Sequence, residues 1–330
     1  MSGPARPGED ELIARHFAPL AGPGGLALQD DAACIMPPAG RDLVLTADAI
    51  VAGVHFFPED PPDAIAWKAL AVNLSDLPAT GADPVGFLLT LALPPDWSDD
   101  WLAEFSAGLG ACAAAGGCAL LGGDTVKTPG PLTLSITAIG SVPSGRMVRR
   151  TGARPGERIV VSGAIGDSAL GLEARLDPFA PWLAAVGAGR DHLLDRYLRP
   201  RPRGALAAGL RAHASGAMDV SDGFVGDLAK MMRASGCGAR VDIGRIPLSI
   251  PARDAIAAEP GLLAAALTGG DDYEILASVA PAELEALLGG AAAAGVPLAE
   301  VGEVTPLAGE LIFLHNGREV TFARGSFSHF

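Results

Sequence analysis

The sequence predicts an α/β (α+β) protein of two domains, and three observations carry that expectation. The chain has 330 residues, 49% of them hydrophobic, which is enough for two packed cores. Apolar runs of strand length alternate with segments of helical periodicity, but without the clean rhythm of a doubly wound parallel sheet. A segment rich in Pro, Gly and Arg, Ser141 to Gly156, separates the two halves. Domains are therefore expected at 1–145, a mixed sheet with helices, and at 146–330, a sandwich-like α+β unit.

In the first half, residues 9–17 have the pattern of a short amphipathic helix. Strands are expected near Ala32–Met36 and Leu43–Thr46. Pro61-Pro62 then opens a helix in which Trp67, Leu70, Leu74 and Leu77 recur at helical spacing, with Pro78 and Gly81 as its stop. Asn73 and Asp76, three residues apart, share a face of its last turns. Further strands are expected near Val85–Leu93, Ala119–Leu121 and Leu132–Ser141, with a helix over Asp99–Ala115. The second half opens with the strand Arg158–Ser162. A Gly163–Gly166 loop follows, then a helix from Asp167, a residue type suited to an N-cap. Strand–loop–helix recurs over Met218–Arg233, and Tyr273–Val279 has strand character. Asn316-Gly317, between Leu311–Leu314 and Glu319–Phe322, is the signature of a type I′ hairpin.

A net charge of −14 argues against nucleic acid as a partner, because phosphate backbones are bound by basic faces. It leaves room for a phosphorylated small molecule, since bound cations reverse the local sign. Residues 1–10 have no apolar core of a signal peptide. The longest apolar run, Cys112–Leu121, is too short and too rich in glycine to cross a bilayer. Cys34, Cys112, Cys118 and Cys237 show no C-x-x-C spacing and read as reduced, buried thiols of a cytoplasmic protein, not as a zinc site.

The chemistry lies in a set of short carboxylate-bearing segments: Asp30-Asp31, Thr46-Ala47-Asp48, Asn73-Leu74-Ser75-Asp76, Gly122-Gly123-Asp124, Asp219-Val220-Ser221-Asp222-Gly223 and Gly269-Gly270-Asp271-Asp272. Each follows or ends an apolar stretch, where a loop aims a carboxylate into a cleft. Two like charges about 4 Å apart cost roughly 4 kcal/mol at an effective dielectric near 20, so convergent carboxylates call for cations between them. Hard oxygen ligands select Mg²⁺, commonly shared with substrate phosphates. The first reading is a Mg-nucleotide enzyme.

Other nucleotide sites are excluded. There is no G-x-x-x-x-G-K-[ST], no G-x-G-x-x-G after a first strand, and no kinase H-R-D or D-F-G element. Lysine is confined to Lys68, Lys127 and Lys230. The Gly163–Asp167 loop is either a plain turn or a backbone cradle for an anion. Arg146, Arg149, Arg150, Arg154 and Arg158 crowd the interdomain segment, as a solvated linker or as a phosphate clamp.

Taken in order, these segments resemble thiamine-monophosphate kinase. The resemblance adds Val51-Ala-Gly-Val-His55-Phe56, Lys68-Ala-Leu-Ala-Val-Asn73, Ser162-Gly-x-x-Gly-Asp-Ser168, Leu198-Arg199-Pro200 and the closing Phe327-Ser328-His329-Phe330. It spans about Glu9 to Phe330. His55, Leu198-Arg199-Pro200 and the terminal aromatic-x-His-Phe separate this family from relatives of the same fold, such as aminoimidazole-ribonucleotide synthetase, selenophosphate synthetase and the carbamoyl-dehydrating hydrogenase-maturation protein. The resemblance implies ATP-dependent phosphorylation of thiamine monophosphate to thiamine diphosphate. It implies several Mg²⁺ ions held by Asp31, Thr46, Asp48, Asp76, Asp124, Asp219 and Asp222. ATP contacts are implied for Gly123, Asp124, Arg150 and Ser221, and thiamine-phosphate contacts for His55, Asp271 and Phe327. It also implies a homodimer whose N-terminal halves join strands into a shared barrel, while the C-terminal half covers the nucleotide. No side-chain nucleophile is expected, because the acceptor is itself a phosphate.

Three departures from the family pattern stand out. Gln29 replaces a glycine before the Asp pair, Ala47 replaces a hydroxyl residue before Asp48, and Asp271 replaces a glutamate. Two alternatives remain: a sister activity such as selenophosphate synthetase, and a non-catalytic Mg-nucleotide-binding regulator. The first needs a reactive Cys in a flexible N-terminal loop, whereas Cys34 is expected inside a strand. The second should have lost carboxylates that are present here.

Overall fold

The computed structural model describes residues 8–322. The chain divides into two units. One comprises residues up to Leu77 together with Asp83–Gly145. The other comprises Pro78–Ala82 and everything from Arg146 onward.

In the first unit, helix α1 (Glu9–Leu12) passes directly into a π-helical turn at Ile13–Phe17, so the amphipathic segment is split between two windings. Strand β1 (Arg41–Val51), helix α2 (Pro62–Ala79), β2 (Asp83–Leu93), α3 (Asp99–Gly116), β3 (Ala119–Lys127) and β4 (Thr133–Pro143) follow. The sheet has the order β1-β4-β2-β3, antiparallel except for the parallel β2–β3 pair. The strand expected at Ala32–Met36 is absent. That segment is irregular and mostly exposed, and it runs into Pro37-Pro38, which have no N–H to offer a ladder.

Period-2 alternation buries Phe87, Leu89, Leu91, Leu134 and Ile136 on one face of this sheet. Leu45, on the alternate set, is 61% exposed, and Leu43, Leu88 and Val126 are exposed as well. Helix α2 is buried nearly all round, Lys68, Asn73 and Ser75 included. It ends at Ala79, between Pro78 and Gly81, where the sequence places its stop. Helix α3 starts where expected, its first turn capped by Ser98 Oγ accepting from Trp101 N (3.1 Å).

The second unit contains β5 (Arg158–Ser162), α4 (Asp167–Leu176), α5 (Leu183–Val186), α6 (Gly189–Leu198), α7 (Ala207–His213) and β6 (Ala214–Val220). Next come α8 (Phe224–Ser235), β7 (Gly238–Asp242), α9 (Ile250–Ala258), α10 (Leu262–Thr268), β8 (Glu274–Val279) and α11 (Leu284–Ala293). Strands β9 (Leu298–Thr305), β10 (Leu311–His315) and β11 (Arg318–Val320) complete it. Its seven strands take the order β11-β10-β7-β9-β5-β8-β6, all antiparallel except β10–β7. Both faces of the central strands are covered. Ile159, Val161, Met218, Val220 and Leu276 pack with α8 on one side, and Val160, Ala217, Ile275, Ala277 and Val279 with α7 and α11 on the other. A strand buried on both faces reads as a continuous apolar run, which is why β5 and β8 are legible without alternation. Asn316 and Gly317 take φ of 52° and 74°, as a type I′ turn requires, and the β10–β11 hairpin forms.

Candidate functional site

In the first unit the acidic residues sit on regular elements more than on loops. Thr46 and Asp48 lie inside β1, and Gly123 and Asp124 inside β3, which runs six residues past the expected Ala119–Leu121. Asp31 is exposed in a bend. Helix α2 lays Asn73 and Asp76 against β1. Thr46 Oγ1 donates to Asp76 Oδ2 (2.5 Å), and Asp48 N donates to Asn73 Oδ1 (2.8 Å). The Asn73 amide in turn donates to Ala69 O (3.0 Å) from a fully buried position. Asn73 thus sets the register of the Asp48 backbone on the helix, and two of the expected ligands, Thr46 and Asp76, come into direct contact. Asp124 stands on the opposite edge strand, in register with exposed Thr90. Beside it, Gly123 has φ of 155°, and a Cβ there would lie 1.8 Å from Leu89 O, so no other residue fits.

His55 caps the turn after β1. Its Nδ1 accepts from Val51 N (3.0 Å), so a neutral ring carries its proton on Nε2. Buried Lys68 on α2 donates to His55 O (3.0 Å) and pins this turn.

In the second unit, β6 delivers Asp219 almost fully buried, and the chain turns through Ser221, Asp222 and Gly223 into α8. The Gly269–Tyr273 loop lies against this turn: Asp271 N donates to Ser221 O and Tyr273 N to Val220 O, both at 2.8 Å. Asp271 and Tyr273 adopt positive φ of 70° and 51°, unusual for residues with a Cβ. Such outliers persist where surrounding contacts over-determine them. Gly270 permits the approach, since a Cβ there would sit 2.4 Å from Ser221 O. Ser221, Asp222 and Asp271 are thereby gathered. Arg150 is exposed in the 3₁₀ turn Arg150–Gly152, whose backbone is held by Ser235 Oγ donating to Arg150 O (3.1 Å). Phe327 lies outside the described residues.

Below this loop is a buried ionic network that motif reading did not anticipate. Glu274 accepts from Ser162 Oγ (2.6 Å), Arg203 Nε (2.6 Å) and Arg196 Nη2 (3.2 Å). Burial holds the Arg196 pKa below the usual guanidinium range, with Glu274 pulling it back up. Asp272 accepts from Gly166 N (2.7 Å) and, more weakly, Ser168 N (3.4 Å), and burial raises its carboxyl well above the usual range. The Gly163–Asp167 loop therefore does cradle an acidic group, but that group is the protein's own buried Asp272 carboxyl. Asp167 is the first residue of α4 and not its cap. It accepts from Ser249 Oγ (2.5 Å) and pairs with His192 Nε2 (2.7 Å), while Gly166 takes the cap position.

A smaller cluster surrounds the Asp222 turn. Asp227, fully buried in the first turn of α8, accepts from Ser221 N (2.9 Å) and Asp222 N (2.8 Å) through Oδ2. Lys230 donates to Asp227 Oδ1 (2.8 Å) and also to Asp222 Oδ2. Burial raises the Asp227 pKa, and the Lys230 ammonium opposes the rise. The sequence signal for this pair was an acid and a lysine at i and i+3 just after the Asp-Val-Ser-Asp-Gly segment.

One expectation requires correction. Cys34 is exposed, not buried in a strand, because its segment joins no ladder, so its placement does not exclude a reactive cysteine. Cys112 and Cys237 are buried and Cys118 partly so, and burial pushes the Cys118 thiol up to about 11. The arginine-rich segment is divided in its partners: Arg158 pairs with Glu303 (3.2 Å) and Arg146 donates to Arg211 O (3.0 Å). Among the described residues, no three His, Cys, Asp or Glu side chains are gathered as a metal-holding group. No helix among the described residues is long and apolar enough to cross a membrane.

Comparison with known proteins places the architecture. Residues 29–142 match the AIR synthase related protein N-terminal domain, and residues 154–313 the corresponding C-terminal domain. The chain is 42% identical to the thiamine-monophosphate kinase of Caulobacter vibrioides over 330 residues, covering 98% of this chain and 92% of that one. The chain belongs to the thiamine-monophosphate kinase family. A crystal structure of the family member from Stenotrophomonas maltophilia superposes with a TM-score of 0.80 at 39% identity, covering 89% of this chain and 91% of that one. A second structure, AaThiL complexed with AMPPCP and TMP, gives a TM-score of 0.76 at 27% identity over 98% and 94% of the two chains.

Proposed function

We propose that this protein transfers the γ-phosphoryl group of ATP to the phosphate of thiamine monophosphate, giving thiamine diphosphate and ADP. The observation that carries the reading is similarity to thiamine-monophosphate kinases over both domains, 98% of the chain, with the acidic segments in family order. The relative solved with AMPPCP and TMP supports the same pair of substrates. We assign Asp31, Thr46, Asp48, Asp76, Asp124, Asp219 and Asp222 as Mg²⁺ ligands, Gly123, Asp124, Arg150 and Ser221 as ATP contacts, and His55, Asp271 and Phe327 as thiamine-phosphate contacts.

The donor set fits Mg²⁺, since every side chain in it offers a hard oxygen. A cation is already accommodated at one position, where the Lys230 ammonium lies against Asp222. When bound, Mg²⁺ supplies neutralisation of the phosphate charges. The chain's own residues position and donate. His55, held in its turn by Nδ1 accepting from Val51 N, is the residue we assign beside the thiamine phosphate. Gly123, whose backbone lies too close to Leu89 for any Cβ, fixes β3 against β2 and so places Asp124 beside it. An anionic phosphate acceptor needs in-line placement and charge stabilisation rather than activation by a base, so transfer is direct. The exposed face carrying Leu43, Leu45, Leu88 and Val126 supports a homodimer closed over that sheet, and the composition supports a cytoplasmic enzyme.

With γ-labelled ATP, label is expected in thiamine diphosphate and none on acid-quenched protein. A labelled phosphoenzyme that chases into product contradicts direct transfer. Phe327→Ala is expected to raise the KM for thiamine monophosphate about tenfold, equal to about 1.4 kcal/mol, by removing an aromatic face from the thiazolium cation. The KM for ATP should stay put. If both KM values hold and the melting temperature drops, Phe327 is a packing residue.

A further inference from the structure

Lys230 is one of three lysines in the chain and the only one beside an assigned Mg²⁺ ligand in the second unit. Its ammonium bridges two carboxylates whose oxygens divide their work. Asp227 Oδ2 holds the backbone N–H groups of Ser221 and Asp222, and Asp227 Oδ1 holds Lys230 (2.8 Å). Asp222 Oδ2 contacts the other end of that arrangement, the lysine. We propose that Lys230 is a built-in counter-ion for Asp222, competing with Mg²⁺ for its carboxylate, and that Asp227 is the positioning residue that fixes the Ser221–Gly223 turn throughout the exchange. The inference rests on the assignment of Asp222 as a metal ligand and goes beyond it.

The geometry makes the exchange cheap. When a divalent cation takes Asp222, the ammonium leaves one carboxylate but keeps the other, so neither Lys230 nor Asp227 is stranded. Asp227 is fully buried, while the Lys230 and Asp222 side chains are 29% and 35% exposed. The fixed partner is thus inside and the two exchanging groups face solvent. An ammonium on a flexible stem suits such a shuttle better than a planar guanidinium fork. Without metal, the same ammonium removes the repulsion that Asp222 and Asp227 would otherwise exert on each other.

The test uses the full-length protein without nucleotide and reads Mn²⁺ binding by electron paramagnetic resonance, together with melting temperature in chelator and in Mg²⁺. In Lys230→Gln, Mn²⁺ should bind about tenfold more tightly at the affected site, equal to about 1.4 kcal/mol of relieved repulsion. Its melting temperature in chelator should fall by about 2–4 °C, and Mg²⁺ should restore it. Lys230→Arg, which keeps the charge, should retain wild-type Mn²⁺ affinity. Asp227→Asn keeps an acceptor for the turn but weakens the hold on Lys230, and should shift Mn²⁺ affinity less than Lys230→Gln. Unchanged or weaker Mn²⁺ binding in Lys230→Gln overturns the counter-ion role. The kinase reading is scored separately by product formation in the wild type. A wild type that makes thiamine diphosphate but whose Mn²⁺ affinity ignores residue 230 sinks only this proposal.

Discussion

Asp76→Asn is expected to lower kcat by about 10³-fold or more, equal to about 4 kcal/mol of transition-state stabilisation, without loss of fold. Asp76 sits in the penultimate turn of α2, near the negative end of the helix dipole, where a carboxylate is disfavoured unless a cation answers it. Its Oδ2 accepts from Thr46 Oγ1, and an amide oxygen retains that bond. The variant therefore keeps the packing and loses only the charge. In the absence of Mg²⁺ its melting temperature should equal or exceed that of the wild type, and added Mg²⁺ should stabilise it less. Near wild-type turnover at low Mg²⁺ would return Asp76 to a structural role and remove α2 from the metal site.

The largest stability effect is expected at Glu274, a carboxylate buried completely at the start of β8. Glu274→Ala strands two arginines: Arg196, whose side chain is 5% exposed, and Arg203, at 20%. Removing one partner of a buried ion pair costs about 3–5 kcal/mol, because the remaining charge is left without compensation. For a unit of this size, each kcal/mol shifts the melting temperature by about 2–4 °C, so a loss of roughly 6–20 °C is expected by calorimetry. Because Arg196 also donates to Asp272 O (3.3 Å), the damage should spread to the loop that carries Asp271. The KM for thiamine monophosphate should therefore rise in the same variant. A change in melting temperature below about 2 °C would mean that water replaces the carboxylate, and that the network is not structural.

The legible parts of this chain are those in which one short segment carries its own instruction. Asn316-Gly317 announces a turn that only positive φ satisfies, and β5 and β8 announce burial on both faces by unbroken apolar runs. The acidic segments were legible for the same reason, each being contiguous and of distinctive composition. What was not legible depends on partners distant in sequence. Ala32–Met36 has strand composition but pairs with no strand of either sheet, and composition says nothing about pairing. Gly122-Gly123-Asp124 reads as a turn, yet β2 holds it in register as strand, with Thr90 opposite Asp124. The group held by the Gly163–Asp167 loop is the Asp272 carboxyl, more than a hundred residues away. Asn73, Lys68 and Asp227 act through hydrogen bonds to backbone atoms of other segments, a relation that leaves no period in the sequence.

The most direct test of the central claim is an end-point assay of purified protein with ATP, Mg²⁺ and thiamine monophosphate, with products resolved by chromatography. The account predicts thiamine diphosphate and ADP in equal amounts, abolished by chelator and restored by Mg²⁺. It also predicts no thiamine diphosphate when free thiamine replaces the monophosphate. Thiamine diphosphate formed from free thiamine, or ATP consumed without any thiamine diphosphate, would contradict it.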